Sequence, residues 1–400
     1  MKDKVVLAFS GGLDTTVAIP WLSEEHGLDV IAVAVDVGQV SEPDQLVETA
    51  MKAGAKDAMV IDARQQFASD FVLPALRANA LYQAKYPLVS ALSRPAICLH
   101  LSEVAKRVGA AAVAHGCTGK GNDQVRFEVA LSALLPETPV LGPIRQWGLT
   151  REQAIEYGTK RSLPLTVRRD KPYSIDENMW GRTIECGLLE DPFIEPPDDV
   201  WERTADPMAA PETPAYLEIG FERGNPVELN GKPLPLSDLV AAVDRVCGSY
   251  GFGRVDMIED RVIGIKSREI YEVPGALALI AAHRDLEELT LDRDTLRVKR
   301  QLEQRWAELV YEGFWFSPLK DALDAFFDST SRHCTGTVRL KAAPGNVSVV
   351  GRQSPSSLYD LGLATYDSGD TFDHLAAEGF IKLWSLPTRT MGRARQSRKR

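Results

Sequence analysis

The chain has 400 residues, 44% apolar and 26% charged, with a formal net charge of −10. That length and composition allow a folded chain with core enough for two domains. The acidic balance argues against a protein whose affinity comes from neutralising a run of nucleic-acid phosphates, while a small anion in a locally positive pocket stays compatible with it. The longest uninterrupted apolar run, about Ala276–Ala282, falls far short of the roughly 20 residues of a membrane span. The Val5–Phe9 run is too short for the core of a signal peptide. Five cysteines (Cys98, Cys117, Cys186, Cys247, Cys334) are scattered without a C-x-x-C pair. They read as reduced thiols of a cytoplasmic protein, neither a disulfide frame nor a zinc site.

In chain order, five short aliphatic runs come first: Val5–Phe9, Val30–Val35, Ala58–Ile61, Ala111–Ala114 and Val140–Ile144. Uncharged runs of this kind are strands buried on both faces. Amphipathic stretches separate them, around Thr15–Glu25, Pro43–Ala53, Gln65–Asn79, Pro95–Val108 and Asn122–Leu135. The alternation predicts an α/β fold, a doubly wound parallel five-stranded sheet with ligands at the carboxyl ends of its strands. Pro20 falls inside the first helical stretch, so that helix is either kinked or starts later. Thr150 and Gln153 form a capping box that opens a helix to about Arg161.

After this the texture changes. Six prolines between Pro192 and Pro214 mark an irregular connection. The region beyond it reads as α+β. It has hairpin signals at Tyr216–Leu229 and Gly336–Val350 and helices near Ser237–Cys247 and Asp292–Tyr311. The stretch Thr371–Trp384 is an amphipathic helix whose Phe372, Leu375, Phe380, Leu383 and Trp384 call for a partner surface. The basic end, Arg393–Arg400, reads as a disordered solvated tail.

The strongest chemical signal is Ser10-Gly11-Gly12-Leu13-Asp14-Thr15-Thr16, between the first strand and the first helix. Two glycines let backbone amides approach an anion, the helix N-terminus adds unpaired N–H groups, and three hydroxyls add donors. The loop lacks the lysine of a Walker A sequence and the spacing of G-x-G-x-x-G. It resembles the SGGxD(S/T) loop of N-type ATP pyrophosphatases, which hold the pyrophosphate part of ATP and cleave between the α and β phosphates.

A second loop, His115 to Phe127 (HGCTGKGNDQVRF), also joins a buried strand to a helix. Asn122 and Arg126 share a helix face. An arginine fork suits a substrate carboxylate, and Asp123 suits an ammonium. This segment resembles the HGxTGKGNDQVRF segment of argininosuccinate synthases, and Tyr86 to Pro95 (YPLVSALSRP) resembles their substrate loop. Further similar blocks lie at Tyr173–Asn178, Ile258–Arg261 and Lys266–Glu272.

The resemblance implies that citrulline, aspartate and ATP, the last with Mg²⁺, give argininosuccinate, AMP and pyrophosphate. It places ATP at Ala8, Phe9, Ser10, Gly11, Gly12, Leu13, Asp14, Thr15, Thr16, Val35 and Gly116. It places citrulline at Tyr86, Ser90, Asn122, Arg126, Ser174, Thr183, Glu259 and Tyr271, and aspartate at Thr118, Asn122 and Asp123. No residue is implied as a protein metal ligand. It further implies residues 1–168 as an ATP-binding domain, 169–365 as a synthetase and oligomerisation domain, and 366–400 as an arm helix with the basic tail, in a homotetramer. No nucleic acid or membrane partner is expected.

Two positions depart from relatives: Ser90-Ala91 stands where some carry Thr-Ser, and Thr183 where others carry serine. Attack by the ureido oxygen on the α-phosphorus would expel pyrophosphate, after which the aspartate amine displaces AMP. That amine must lose a proton, yet no residue in the sequence stands out as its acceptor; His115 is near, and bound phosphate could serve. The competing readings are another N-type pyrophosphatase ligase and a nucleotide-binding regulator without turnover.

Overall fold

A computed structural model describes residues 2–148, 150–165 and 173–398. They form two compact units, Met1–Ser356 and Ser357–Arg400. The expected boundary at residues 168/169 lies outside the described residues.

The first sheet contains β1 (Lys4–Ala8), β2 (Asp29–Asp36), β3 (Asp57–Asp62), β4 (Ala112–Ala114) and β5 (Val140–Leu141). All its pairs are parallel, in the order β3-β2-β1-β4-β5. Alternation along the strands divides the core. Val6, Ala8, Ile31, Val33 and Val35 belong to one apolar cluster, which also holds Leu92 and Leu101 of the helix Val89–Val108. Val5, Leu7, Phe9, Val30 and Ala32 belong to another, with Ala18, Ile19 and Leu22 of the helix Leu13–Glu25. Burial on both faces is why these runs carry no charge. The order reverses between β1 and β4, and in open α/β sheets the ligand crevice opens at such a switch point.

Three local readings change. Pro20 sits inside the helix Leu13–Glu25, which starts two residues before the expected Thr15 and not later. The helix expected from Pro95 starts a turn and a half earlier, at Val89, after Leu88 takes the left-handed conformation (φ 67°). The fifth strand stops at Leu141, because Gly142-Pro143 opens the short helix Pro143–Trp147.

Beyond the first sheet, β6 (Ser174–Asn178), β7 (Gly181–Glu185), β11 (Arg254–Asp260) and β12 (Lys266–Glu272) make an antiparallel sheet ordered β11-β12-β7-β6. A second antiparallel sheet, β10-β9-β8-β13-β14, contains β8 (Ala215–Glu222), β9 (Asn225–Leu229), β10 (Lys232–Pro233), β13 (Gly336–Ala343) and β14 (Asn346–Gln353). Its β8–β9 hairpin turns on Arg223 and Gly224, both at positive φ (50° and 77°), as a two-residue hairpin of matching twist requires. The proline-rich connection is tied to β12 by Glu272, which is fully buried. Glu272 accepts from the backbone N–H groups of Glu202, Arg203 and Thr204 and pairs with Arg182 at 2.8 Å.

In the unit Ser357–Arg400, helices span His374–Trp384 and Leu386–Ser397. The tail read as disordered is therefore helical through Ser397, and its last two residues lie outside the described set.

Candidate active site

The loop after β1 is held from within. Gly11 takes φ +72°, and a Cβ there would stand 2.5 Å from Leu46 Cδ1, so the turn admits only glycine without displacing that side chain. Thr15 Oγ1 accepts from the Ser10 amide (3.3 Å), meets Ser10 Oγ (3.2 Å) and donates to the Gly12 carbonyl (3.3 Å). These contacts fix the turn at the N-terminus of the helix Leu13–Glu25, where amides and dipole favour an anion. Burial raises the Asp14 carboxyl, with the Arg151 charge opposing.

The loop after β4 lies beside it. A Cβ on Gly116 would come within 2.7 Å of Thr15 Cγ2, so the two loops touch because position 116 has no side chain. His115 is fully buried. Its Nδ1 accepts from the Cys117 amide (3.2 Å), which places the ring proton on Nε2, facing Glu128 at 3.2 Å. That geometry makes His115 a brace for the loop. Burial also pushes the Cys117 thiol up, so it stays protonated.

The helix Asn122–Leu134 then presents Asn122, Asp123 and Arg126. Asp123 pairs with Arg94 (2.7 Å) and Arg126 (3.0 Å). Burial alone would raise its carboxyl, but the two guanidiniums override this and hold it well below the ordinary carboxylate range. Arg94 also grips Asp176 of β6 at 2.7 Å. Arg126 gives Nε to the Tyr311 carbonyl (2.9 Å) and lies over the Tyr311 ring. Its Nη2 is buried with no hydrogen-bond partner among the described residues. A buried guanidinium N–H without an acceptor costs roughly 1–3 kcal/mol, a cost that an arriving carboxylate removes.

One face of the β11-β12-β7-β6 sheet completes the wall. Cross-strand pairs Ser174–Glu185, Asp176–Thr183 and Thr183–Tyr271 place these side chains on the same face, and Glu269 follows by alternation along β12. The opposite face carries Ile184 and Ile270, which sit in their own apolar cluster, and the buried Arg182–Glu272 pair. Glu259 accepts from the hydroxyls of Tyr271 and Tyr311. Burial raises its carboxyl against those two hydrogen bonds and the Arg126 charge. Tyr86 stacks on Tyr271 (4.2 Å between centroids). The two departing positions meet: Ser90 Oγ and Thr183 Oγ1 are 3.2 Å apart. Ala91 is fully buried, so the loop's cavity-facing hydroxyl is that of Ser90.

These groups enclose a cavity of about 770 Å³. Ala8 to Thr15, Val35, Gly116, Thr118, Tyr86, Ser90, Asn122, Asp123, Arg126, Ser174, Thr183, Glu259 and Tyr271 all line it. Thr16 does not: its amide bonds to the Gly12 carbonyl and its Oγ1 is buried without a hydrogen-bond partner among the described residues. Arg94, Asp176, Glu185, Arg261 and Glu269 also line the cavity, although the sequence reading gave them no role. Tyr311 supports it from behind. Their signal was present as alternation (Ser174-x-Asp176, Thr183-x-Glu185, Ser267-x-Glu269-x-Tyr271), a polar face at strand spacing.

A crevice at the switch point of a parallel sheet, with a glycine phosphate loop on one side and paired charges on the other, defines a nucleotide-dependent ligase. The comparisons give the family. Residues 4–164 match the arginosuccinate synthase N-terminal HUP domain and residues 173–391 the arginosuccinate synthase C-terminal domain. The chain belongs to the argininosuccinate synthase family and is a ligase forming C–N bonds. It is 55% identical over 386 residues to the argininosuccinate synthase of Geobacillus kaustophilus, covering 96% of this chain and 95% of that one. It is 54% identical over 397 residues to that of Synechococcus sp. RCC307 (99% and 98%). With that of Oceanobacillus iheyensis it shares 52% over 387 residues (97% and 93%).

Proposed function

We propose that this chain joins citrulline to aspartate at the expense of ATP, giving argininosuccinate, AMP and pyrophosphate. The observation that carries the reading is one shared cavity: the anion-binding loop after β1 and Arg126, whose Nη2 has no hydrogen-bond partner among the described residues, line the same space. A polyphosphate at Ser10–Thr15 leaves the α-phosphorus facing the second loop and the polar sheet face. Arg126 takes a substrate carboxylate, Ser90 and Thr183 offer hydroxyls to citrulline, and Thr118, Asn122 and Asp123 take aspartate. Because the Arg94 and Arg126 pairs keep Asp123 ionised, it can hold an ammonium.

The ureido oxygen of citrulline attacks the α-phosphorus, its O–P bond forms, and pyrophosphate leaves with the electrons of the broken P–O bond. The amine of aspartate then displaces AMP at the ureido carbon. No protein nucleophile takes part; the side chains act by positioning and by fixed charge. Mg²⁺ fits the loop as a phosphate-borne ion. No group of three or more His, Cys, Asp or Glu suited to a metal occurs among the described residues, and Asp14 is the carboxylate at the loop, enough for an ion held chiefly by phosphates and water. When bound, it neutralises charge on the phosphates.

Citrulline labelled with ¹⁸O in its ureido group tests the route. Label recovered in AMP is the expected result. Label in pyrophosphate, or turnover to ADP, overturns it.

The unit Ser357–Arg400 contains no buried residue within its helices, and Leu375, Phe380, Leu383 and Trp384 are exposed. We assign this surface to other copies of the chain in a homotetramer, which native mass spectrometry reads directly. The unpaired thiols, three of them buried, suit the reducing cytoplasm.

A further inference from the structure

The reaction needs a group to deprotonate the aspartate ammonium, and the carboxylates lining the cavity are not equivalent. Asp123 and Asp176 are clamped by arginines. Both oxygens of Glu259 accept tyrosine hydroxyls. Asp14 sits at the phosphate loop, Glu42 is exposed at the start of the helix Pro43–Lys52, and Glu177 reaches toward Arg203. Glu185 is different. Its Oε2 meets Arg261 Nη2, while Oε1 has no hydrogen-bond partner among the described residues. The same Arg261 nitrogen binds Glu269 Oε1 at 2.8 Å, and Ser267 donates to that oxygen at 2.8 Å. Two carboxylates therefore share one guanidinium nitrogen, an arrangement with room for one proton.

We propose that Glu185, held by Arg261 beside Glu269, takes the proton from the aspartate ammonium before it attacks. The inference rests on the functional reading above. The groups around Glu185 are Glu269 and Ser267 of β12, Arg261 of the β11–β12 turn, Ser174 of β6, and Asp123 on the helix Asn122–Leu134. Burial raises the Glu185 carboxyl, Glu269 reinforces the rise, and Arg261 opposes it, bringing it to about 7. A base is most effective with its pKa near the working pH.

The proton count closes. The ammonium becomes the –NH– of a guanidinium and so loses two protons. The first goes to Glu185 and frees the nitrogen lone pair, which forms the C–N bond. The C–O bond to AMP breaks with its electron pair on the phosphate oxygen, and that phosphate takes the second proton.

The test separates the two half-reactions in the full-length chain. In Glu185→Gln, overall turnover should fall by about 100-fold or more, while citrulline-dependent exchange of labelled pyrophosphate into ATP, measured without aspartate, stays within about threefold. Unaltered chain should gain turnover as pH rises through about 7, and Glu185→Gln should lose that limb. Glu185→Asp, which keeps a carboxylate, should keep it at a reduced rate. Turnover of Glu185→Gln within threefold of the unaltered chain overturns the assignment. Equal loss of both half-reactions also overturns it, since that is the mark of a structural role. If the unaltered chain shows no citrulline-dependent exchange, the functional reading fails and this inference with it.

Discussion

Replacing Gly116 with alanine tests the contact between the two glycine loops. Position 116 is not in the left-handed region, so alanine adds no backbone strain and acts only through its methyl group. That methyl would lie 2.7 Å from Thr15 Cγ2, against an optimum of roughly 3.5–4.0 Å between carbons, so Thr15 must move by about 1 Å. Thr15 Oγ1 carries three contacts that shape the phosphate loop, at 3.2, 3.3 and 3.3 Å. Each is worth roughly 1 kcal/mol net. Losing two of them costs about 2 kcal/mol, roughly a 30-fold rise in the Kd for ATP. Isothermal titration calorimetry with ATP measures this directly. The double variant Gly116→Ala/Thr15→Ser removes the Cγ2 methyl, keeps Oγ1, and should recover most of the affinity. Unchanged affinity in Gly116→Ala, or no recovery in the double variant, would refute the idea that this contact shapes the loop.

Arg126→Lys keeps a positive charge but loses the fork and the free Nη2. The KM for citrulline should rise by roughly 10-fold to 100-fold, the range of a charge-assisted hydrogen bond, with the KM for ATP nearly constant in steady-state assays. Tyr311→Phe removes the hydroxyl that joins Asn122 Nδ2 (2.7 Å) to Glu259. It should raise the citrulline KM by roughly tenfold, and an unchanged value would show that Tyr311 supports nothing at the site. Away from the cavity, burial pushes Glu287 up to about 7, with Lys299 opposing and Glu303 reinforcing. The folded state then holds a proton that the unfolded chain releases near pH 4.3, so stability falls as pH rises from about 4 to about 7. Glu287→Gln should remove that loss. In urea melts it should gain on the order of 2 kcal/mol over the unaltered chain at pH 8 relative to pH 5, and a pH-independent difference would contradict the linkage.

The parallel sheet was readable because burial on both faces leaves its strands uncharged. Val5–Ala8 and Val30–Val35 contain no residue that a solvated element would tolerate so densely. The ends were less clear where chain chemistry competes. The helix Val89–Val108 runs through Pro95 because tertiary packing buries it nearly all round, Leu92, Ala96 and Leu101 among its core residues. The proline suggested a start, when it is an interior residue of a longer helix. The four strands β6, β7, β11 and β12 were not read as strands. Sequences such as SIDEN and KSREIYE carry the charges of a surface while building a cavity wall. In the latter, period-2 alternation turns Glu269 and Tyr271 to the cavity and Ile270 and Glu272 to the protein interior, so it does not separate water from core.

The same inversion explains why the site was only half visible. A glycine turn after a buried strand announces itself locally, since its geometry is set by neighbours in the chain. Arg94, Asp176, Glu185 and Arg261 are joined to the site by partners 29 to 82 positions away: Arg94 with Asp123 and Asp176 and Arg261 with Glu185, 76 positions off. An acidic chain can hold an anionic nucleotide for the same reason. The cavity's carboxylates sit mainly on the antiparallel sheet face, and the phosphate loop opposite relies on backbone amides and a helix terminus, whose positive ends need no basic side chains and leave no trace in net charge.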